Sequence, residues 1–185
     1  MTTPSSTEEL LDAVQACLEQ LRWEGEPAFG RVARFDQLDL AVAVEELQAT
    51  ADRLCLLVYE GDRYETLHAG RQIHVRRTAL VSLLMADRQV ANRTEAVFGG
   101  LGLPGVVALK DLVLGLAPGP MPPGSGLPKP VTGRLFPGVY VRPVSATPLP
   151  HEGRPDALVG RGVWLVRLEL VGGQLDFDLG QQPIV

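Results

Sequence analysis

The spacing of apolar residues changes between helical and strand-like periods along the chain, and these changes define the predicted elements. Over residues 10–21, apolar side chains recur every three or four positions, which predicts one amphipathic helix. Ser6 and Glu9 match a capping box, in which each side chain bonds the backbone amide of the other residue. We therefore expect the helix to begin at Ser6, and Gly25 and Pro27 predict its end.

Several apolar runs follow this helix and predict a sheet. Residues 29–35 favour a short strand, and residues 38–52 have the spacing of a second helix. The run at 54–59 is almost continuously apolar, which is typical of a central strand that is covered on both faces. Residues 60–63, Glu-Gly-Asp-Arg, are interpreted as a turn.

Residues 71–87 predict one long strand. Its apolar side chains at odd-numbered positions share one face, but Arg77 falls among them. A charge on a core-facing side conflicts with this pattern. We expect either a bulge near Arg76 or an exposed strand end to resolve the conflict.

The C-terminal half combines a helix, a loop and further strands. Residues 105–116 predict a helix that is apolar on more than half its circumference, with Pro104 in its first turn. Residues 117–130 contain six prolines and three glycines, so they predict a projecting loop. Residues 131–144 and 162–171 predict strands.

Together these elements predict an α+β fold. We expect a mixed, mainly antiparallel sheet with two to three helices packed on it and one long Pro/Gly-rich loop. In the last strand two sets of residues alternate between faces: Val163, Leu165, Arg167 and Glu169 on one, and Trp164, Val166, Leu168 and Leu170 on the other. We predict a single domain over 1–185, with residues 1–5 flexible and 117–130 projecting.

Composition narrows the classes of function. Apolar residues make up 45% and charged residues 21% of the chain, as in globular proteins. The net charge of −5 argues against binding nucleic acid through its phosphates, although DNA could still pass along a wall of like charge. No signal-type segment or membrane-length apolar run occurs, which predicts a protein of the cytoplasm. Cys17 and Cys55 lie in apolar segments and are expected to be buried thiols.

The chemically suggestive groups are weak. Residues 100–105 match G-x-G-x-x-G, but they lie far from a preceding strand and lack a ribose-binding acid, so we interpret them as the flexible start of a helix. His68 and His74 have no third metal ligand at convincing spacing, and Asp176 and Asp178 are expected to be solvated. We predict no catalytic residue, no cofactor and no metal site.

Candidate contact residues are basic or lie in the Pro/Gly-rich loop. One alternative is that the arginines are solvated strand-edge charges that discourage aggregation. The other is that they contact an acidic partner or a neighbouring subunit. The predicted partner or oligomer contacts are Arg71, Arg76, Arg77, Pro120, Met121, Leu127, Lys129, Arg154 and Arg161.

The order of these blocks resembles the tail terminator, or tail completion, proteins of tailed bacteriophages, especially the Mu-like prophage group. An N-terminal amphipathic helix precedes the strand LCLLVYEG and the long strand RQIHVRRTALVSLLMADR. The Gly-rich turn and helix GGLGLPGVVALKDLVLGL, a variable loop and closing strands that end in GVWLVRLEL complete the pattern. The resemblance is one of block order over most of the chain.

The resemblance implies a structural protein without catalytic residues. It implies a ring of six copies that caps the tail tube, ends its polymerisation and joins the tail to the head connector. The implied partners are further copies of the chain, the tail tube protein and the head–tail connector, with no membrane and no sequence-specific nucleic acid. Assembly would take place in the host cytoplasm and end in the virion tail.

Other functions remain open at this point. The chain is alternatively another structural component of a phage-like tail or contractile apparatus. A less favoured alternative is a small-molecule or nucleotide-binding protein that uses Gly100 to Gly105. A thermal-shift screen separates this class, since a ligand at 100 times its Kd stabilises the fold by about 2.7 kcal/mol.

The long loop generates the first testable prediction. Replacing residues 118–130 with a short Gly/Ser turn is expected to leave folding intact and to abolish assembly, because the loop is interpreted as a contact and not as core. Thermal unfolding measures the first effect and negative-stain electron microscopy the second. Normal assembly of this variant would remove the loop from the predicted interface.

Overall fold

A computed structural model describes residues 7–35, 53–69, 72–88, 97–99, 104–115, 133–136, 139–148 and 161–177. Two helices lie in these ranges: α1 (Thr7–Gln20) and α2 (Gly105–Val113). The strands are β1 (Arg22–Trp23), β2 (Glu26–Pro27), β3 (Arg31–Phe35), β4 (Arg53–Ala69), β5 (Gln72–Arg88), β6 (Gly133–Phe136), β7 (Val139–Pro148) and β8 (Arg161–Phe177). The predicted α+β class is confirmed.

The strands form two sheets of very different size. β1 and β2 make a small hairpin, and the larger sheet has the order β3-β4-β5-β8-β7-β6 among the described strands. β3 is parallel to β4, and every other neighbouring pair in this sheet is antiparallel. The prediction of a mixed, mainly antiparallel sheet is therefore confirmed.

One face of the large sheet carries the main core, and both helices pack there. In β5, strict alternation directs Ala79, Val81, Leu83 and Met85 to this face, as the sequence predicts. β8 adds the predicted apolar set, of which Trp164 is partly buried. The remaining fully buried members of this core are Leu10, Val14, Leu18, Leu21, Ala28, Phe29, Cys55, Leu57, Val106, Leu109, Val113, Val141, Val166, Leu168 and Leu170.

α1 ends earlier than predicted, and the predicted capping residue Ser6 lies outside the described residues. The described part of α1 starts at Thr7, and its last residue is Gln20. The chain then enters the β1–β2 hairpin, where Glu24 and Gly25 have positive φ angles of 51° and 91°. Gly25 and Pro27 therefore belong to a hairpin that the sequence pattern does not reveal, because two-residue strands carry too few positions to show a period.

α2 follows the predicted helix closely and begins at a glycine that only fits without a side chain. Gly105 has φ of 65°, and a Cβ placed there would lie 2.2 Å from the backbone N of Gly99. The helix packs on β5 and β8, with the Nζ of Lys110 at 5.4 Å from the ring centroid of Trp164. The close approach of the Gly99 backbone thus explains why Gly105, the last glycine of the G-x-G-x-x-G match, carries no side chain.

The opposite face of the sheet carries a second, smaller apolar cluster. Its buried members are Leu54, Leu56, Leu84, Ala86 and Val163. Because this cluster and the main core take alternate residues of β4, both faces of the run from Leu54 to Val58 are buried. The prediction of a central strand covered on both faces is confirmed, while the predicted helix over 38–52 lies outside the described residues.

Two predictions about where strands end are wrong. Residues 60–63 are not a turn, since β4 continues through them with a bulge between Tyr59 and Gly61. Residues 131–144 are not one strand, since β6 and β7 pair with each other as a hairpin. Residues 60–63 have a turn-forming composition, but pairing with β5 carries β4 straight through them.

The core makes a direct prediction about stability. Replacing the fully buried Leu83 with alanine removes apolar contacts and leaves a cavity, so we expect the free energy of unfolding to fall by about 2–5 kcal/mol. Val144→Ala is the control, because this side chain is exposed, and its effect is expected to stay within about 0.5 kcal/mol. Denaturant unfolding measures both. Equal effects of the two substitutions would contradict the assigned core.

Candidate interaction surface

The three longest strands run on past the core as a three-stranded extension. β3 pairs with β4 only as far as Val58, and β7 pairs with β8 only as far as Gly172. β4, β5 and β8 continue together to the pairs that join Ile73 to His68 and to Phe177. We call this extension, made of residues 64–69, 72–77 and 173–177, the arm.

None of the arm residues whose burial is described belongs to the buried core. The last fully buried residues before the arm are Ala79 in β5 and Leu170 in β8. At a rise of about 3.3 Å per residue, its strands extend roughly 20 Å beyond this point. Tyr64 is 58% exposed, and its neighbour Glu65, which points to the other face, is also exposed. The arm therefore offers both of its faces to solvent at this level.

An ion pair on the helix-covered side holds the arm where it joins the core. The bulge in β4 shifts the strand by one residue, so Asp62 comes to the same face as Arg77. The Nε of Arg77 lies 2.9 Å from Oδ1 of Asp62, although the two are not aligned for a hydrogen bond. Arg77 also donates to the Thr7 hydroxyl at the start of α1, and the Tyr64 hydroxyl donates to Asp62 Oδ2 at 3.1 Å.

Burial and charge shift the acidity of this cluster in definite directions. Burial alone would raise the pKa of the Asp62 carboxyl, but the contacts from Arg77, Tyr59 and Tyr64 outweigh it and lower that pKa below 3.8. Burial and the neighbouring Asp62 raise the pKa of the Tyr59 phenol. The surroundings of Asp62 thus favour its charged carboxylate form. This charge neutralises Arg77, the arginine that interrupts the apolar face of β5.

A second charge cluster lies on the opposite face of the same strands. Glu169 of β8 is only 5% exposed, and it accepts hydrogen bonds from Arg63 of β4, at 3.3 Å, and from Arg142 of β7. Nearby, Glu60 accepts from the Ser82 hydroxyl and from Arg167 of β8. These contacts tie four neighbouring strands together and leave guanidinium groups at the surface.

Some of the predicted contact residues lie among the described residues, and others do not. Arg76 lies on the arm, exposed, with its Nη1 at 3.6 Å from Oε2 of Glu65. Arg77 is 15% exposed and bound within the chain, and Arg161 opens β8 opposite Arg88. Their roles as partner contacts stay predictions. Outside the described residues lie Arg71, Pro120, Met121, Leu127, Lys129 and Arg154, with the loop 117–130.

Sequence reasoning missed Asp62 and Glu169 as structural charges. Glu169 carried a signal, because it lies between Leu168 and Leu170 in a run that is otherwise apolar from Leu168 to Val171. Asp62 carried none, because its face depends on the bulge in β4. A single extra residue in a strand reverses which side chains point inward from there on.

Of the other chemically suggestive groups, the two cysteines lie in or against the main core, and His68 and His74 lie on the arm. Cys55 is a buried thiol, as predicted, and burial raises its pKa, whereas Cys17 is only partly buried. The register places His68 opposite Ile73, one position out of line with His74. In the described part of the chain, no group of three potential metal ligands is found, and no helix is long and apolar enough to cross a membrane.

Comparisons with known proteins assign no family to the chain. No model of a known protein family matches it, and no curated protein sequence matches it. The candidate surface therefore rests on its own geometry: a three-stranded arm, exposed on both faces at Tyr64 and Glu65, with a charge cluster on either side where it begins.

The ion pair at Asp62 predicts a pH-dependent contribution to stability. Asp62→Asn leaves the half-buried Arg77 without a countercharge, so we expect a loss of about 1–3 kcal/mol at neutral pH. Because folding lowers the pKa of Asp62 below 3.8, the native advantage is complete above that value and is lost as the pH falls through the folded-state pKa. Wild type and variant should therefore converge in strong acid.

Denaturant unfolding at a series of pH values measures this difference. Asp12→Asn is the matched control, because Asp12 forms an ion pair with Arg34 but is largely exposed, so its removal should cost less than about 1 kcal/mol. A constant difference between wild type and Asp62→Asn at all pH values would show that the Asp62 charge does not stabilise the fold.

Proposed function

We propose that the protein is a structural virion component that forms a ring on the end of a phage tail tube. The ring stops polymerisation of the tube and presents a surface to the head–tail connector. The observation that carries this proposal is the arm, a stretch of ordered sheet that extends beyond the chain's own core. The resemblance to tail terminators supplies the biological role, and the arm supplies a physical means.

The energetics of the arm favour a partner. Ordering each residue costs about 1–2 kcal/mol of conformational entropy, which apolar burial normally offsets. The arm has exposed side chains on both faces, as Tyr64 and Glu65 show. Its hydrogen-bonded ladders provide order, and among the described residues no helix or second sheet covers it. Such a segment is best explained as a preformed surface that gains its burial when another chain contacts it.

The charge clusters suit a subunit that must stay single until it meets its partner. The cross-strand pairs of Arg63 with Glu169 and of Arg76 with Glu65 place one charged residue each, Arg63 and Glu65, on the exposed part of β4 beyond its pairing with β3. Charged side chains on sheet edges discourage uncontrolled edge-to-edge association. In an ordered assembly, the same arginines offer hydrogen-bond donors to acidic groups of a neighbour.

The net charge of the chain is compatible with a cap on the tail tube, and capping requires no chemical reaction. A net charge of −5 disfavours adhesion of DNA that passes through the ring. Capping needs no catalytic group or cofactor, because a head-to-tail interface that closes on itself is finite. The partners are further copies of the chain, the tail tube protein and the connector, and assembly takes place in the host cytoplasm before the ring enters the virion tail.

Shortening the arm tests this role. In the test variant an Asn-Gly turn replaces residues 67–74, so that the paired residues Thr66 and Val75 form the last step of a tight hairpin. Because the arm lies outside the core, the variant is expected to unfold at nearly the wild-type temperature. We expect it to lose the ability to limit the length of tail tubes that polymerise from purified tube protein.

Electron microscopy of the tubes gives the length distribution. Wild-type protein should give short tubes with capped ends, and the surface variant Val144→Ser, which lies outside the arm, should behave like wild type. Tubes of equal length with and without wild-type protein would contradict the capping function. Normal capping by the shortened variant would show that the arm is not the means.

A further inference from the structure

We propose that neighbouring copies join through their arms, with the free edge of β8 in one copy pairing in parallel with the free edge of β4 in the next. The occupant of each edge is thus a second copy of this chain. This inference rests on the proposed function for the closed ring, and it adds which strands meet, in which direction, and with which symmetry.

The arm has one free edge on each side among the described strands. β5 lies in the middle and is hydrogen-bonded to β4 and to β8. Among the described strands, the outer side of β4 is paired only as far as Val58, where the pairing with β3 ends. In the same described set, the outer side of β8 is paired only as far as Gly172, where the pairing with β7 stops. Each edge presents backbone N–H and C=O groups that an added strand would satisfy.

Strand direction decides how these edges can meet. β4 and β8 are each antiparallel to β5, so they run parallel to one another. A rotation about an axis along the arm brings β8 of one copy beside β4 of the next with both directions preserved. The resulting ladder is parallel, and its repetition closes a ring in which no arm edge stays free.

A two-fold dimer, the alternative arrangement, would pair fewer of the free edges. In a two-fold dimer, β4 would pair with β4 of the second copy in antiparallel fashion. This arrangement satisfies one edge of each arm and leaves both β8 edges open. A head-to-tail arrangement uses both edges of every copy, so the two unlike edges on one arm favour it.

Glycines at the start of the arm give it the freedom to reach a neighbour. The bulge in β4 contains Gly61, which has φ of 123°. A Cβ at this position would meet no atom within 4 Å, so the backbone conformation rather than a lack of space calls for glycine. The register shift between β5 and β8 falls at Gly172 and Gly173. Bulges bend and twist a strand, and here two of them flank the arm on its outer strands.

Cysteine cross-linking tests this arrangement. Glu65 and Gln174 both pair with Arg76, so they lie at the same level on the two outer strands. Within one chain β5 separates them, and their Cα atoms are about 10 Å apart, which exceeds the roughly 7 Å limit for a disulfide. A disulfide in the double variant Glu65→Cys, Gln174→Cys therefore has to join two chains.

The register between copies can be staggered in steps of two residues, which keep the same face. Arg63→Cys and Leu67→Cys, each combined with Gln174→Cys, cover one step in either direction. The protein is oxidised both alone and on tail tubes, then separated without reductant. We expect at least one double variant to give a ladder of covalent multimers that ends at the ring size, while each single variant stays monomeric.

Each outcome decides something different. Covalent dimers from a β4 single variant would overturn the head-to-tail arrangement in favour of the two-fold one. Rings or capped tubes without cross-links in any double variant would overturn the inference and leave the capping function in place. Cross-linked multimers that do not cap tubes would support the arm contact and contradict the capping function. Disulfides to the tube protein alone would assign the edges to that partner and overturn the inference.

Discussion

Strand β5 is paired on both sides over nearly all of its 17 residues, with β4 on one side and β8 on the other. The other described strands of the large sheet and both described helices are arranged around these two ladders. Where the apolar alternation of β5 is intact, from Ala79 to Met85, the helices cover the sheet and the side chains of this face are buried. Where it ends, the same ladders continue beyond the described helices and become the arm.

The boundary between core and arm is set by charge. Arg77 continues the inward-facing series of β5, and the bulge in β4 supplies Asp62 on the same face to neutralise it. On the other face, Glu169 of β8 is held between Arg63 and Arg142. Buried charges need partners with good geometry, so these contacts favour one register of the sheet at the level where apolar packing no longer does.

Local pattern was sufficient wherever one period ran unbroken for several residues. The buried face of α1, the long strand β5 and the alternation of β8 follow directly from the spacing of their apolar residues. The interpretation of residues 60–63 as a turn failed for a physical reason. Their composition suits a turn, but β5 pairs with β4 along the whole length of β4. A bulge at Glu60 and Gly61 therefore costs less free energy than ending this pairing.

The candidate surface was harder to predict than the fold. An arm is a property of relative strand lengths: β3 and β7 stop early, while three strands go on, and no single segment reveals this. The sequence did point to Arg76, which lies on the arm, and to a loop at 117–130 that falls outside the described residues. Pairings such as Asp62 with Arg77 depend on register, which becomes known only when the strands are aligned.

Cryo-electron microscopy of tail tubes assembled together with the protein tests the central claim most directly. We expect a closed ring of this chain on one end of each tube, with the arms of neighbouring copies forming one continuous sheet around the channel. Tube ends without added density, or a ring in which the arms point away from one another and from the tube, would contradict it.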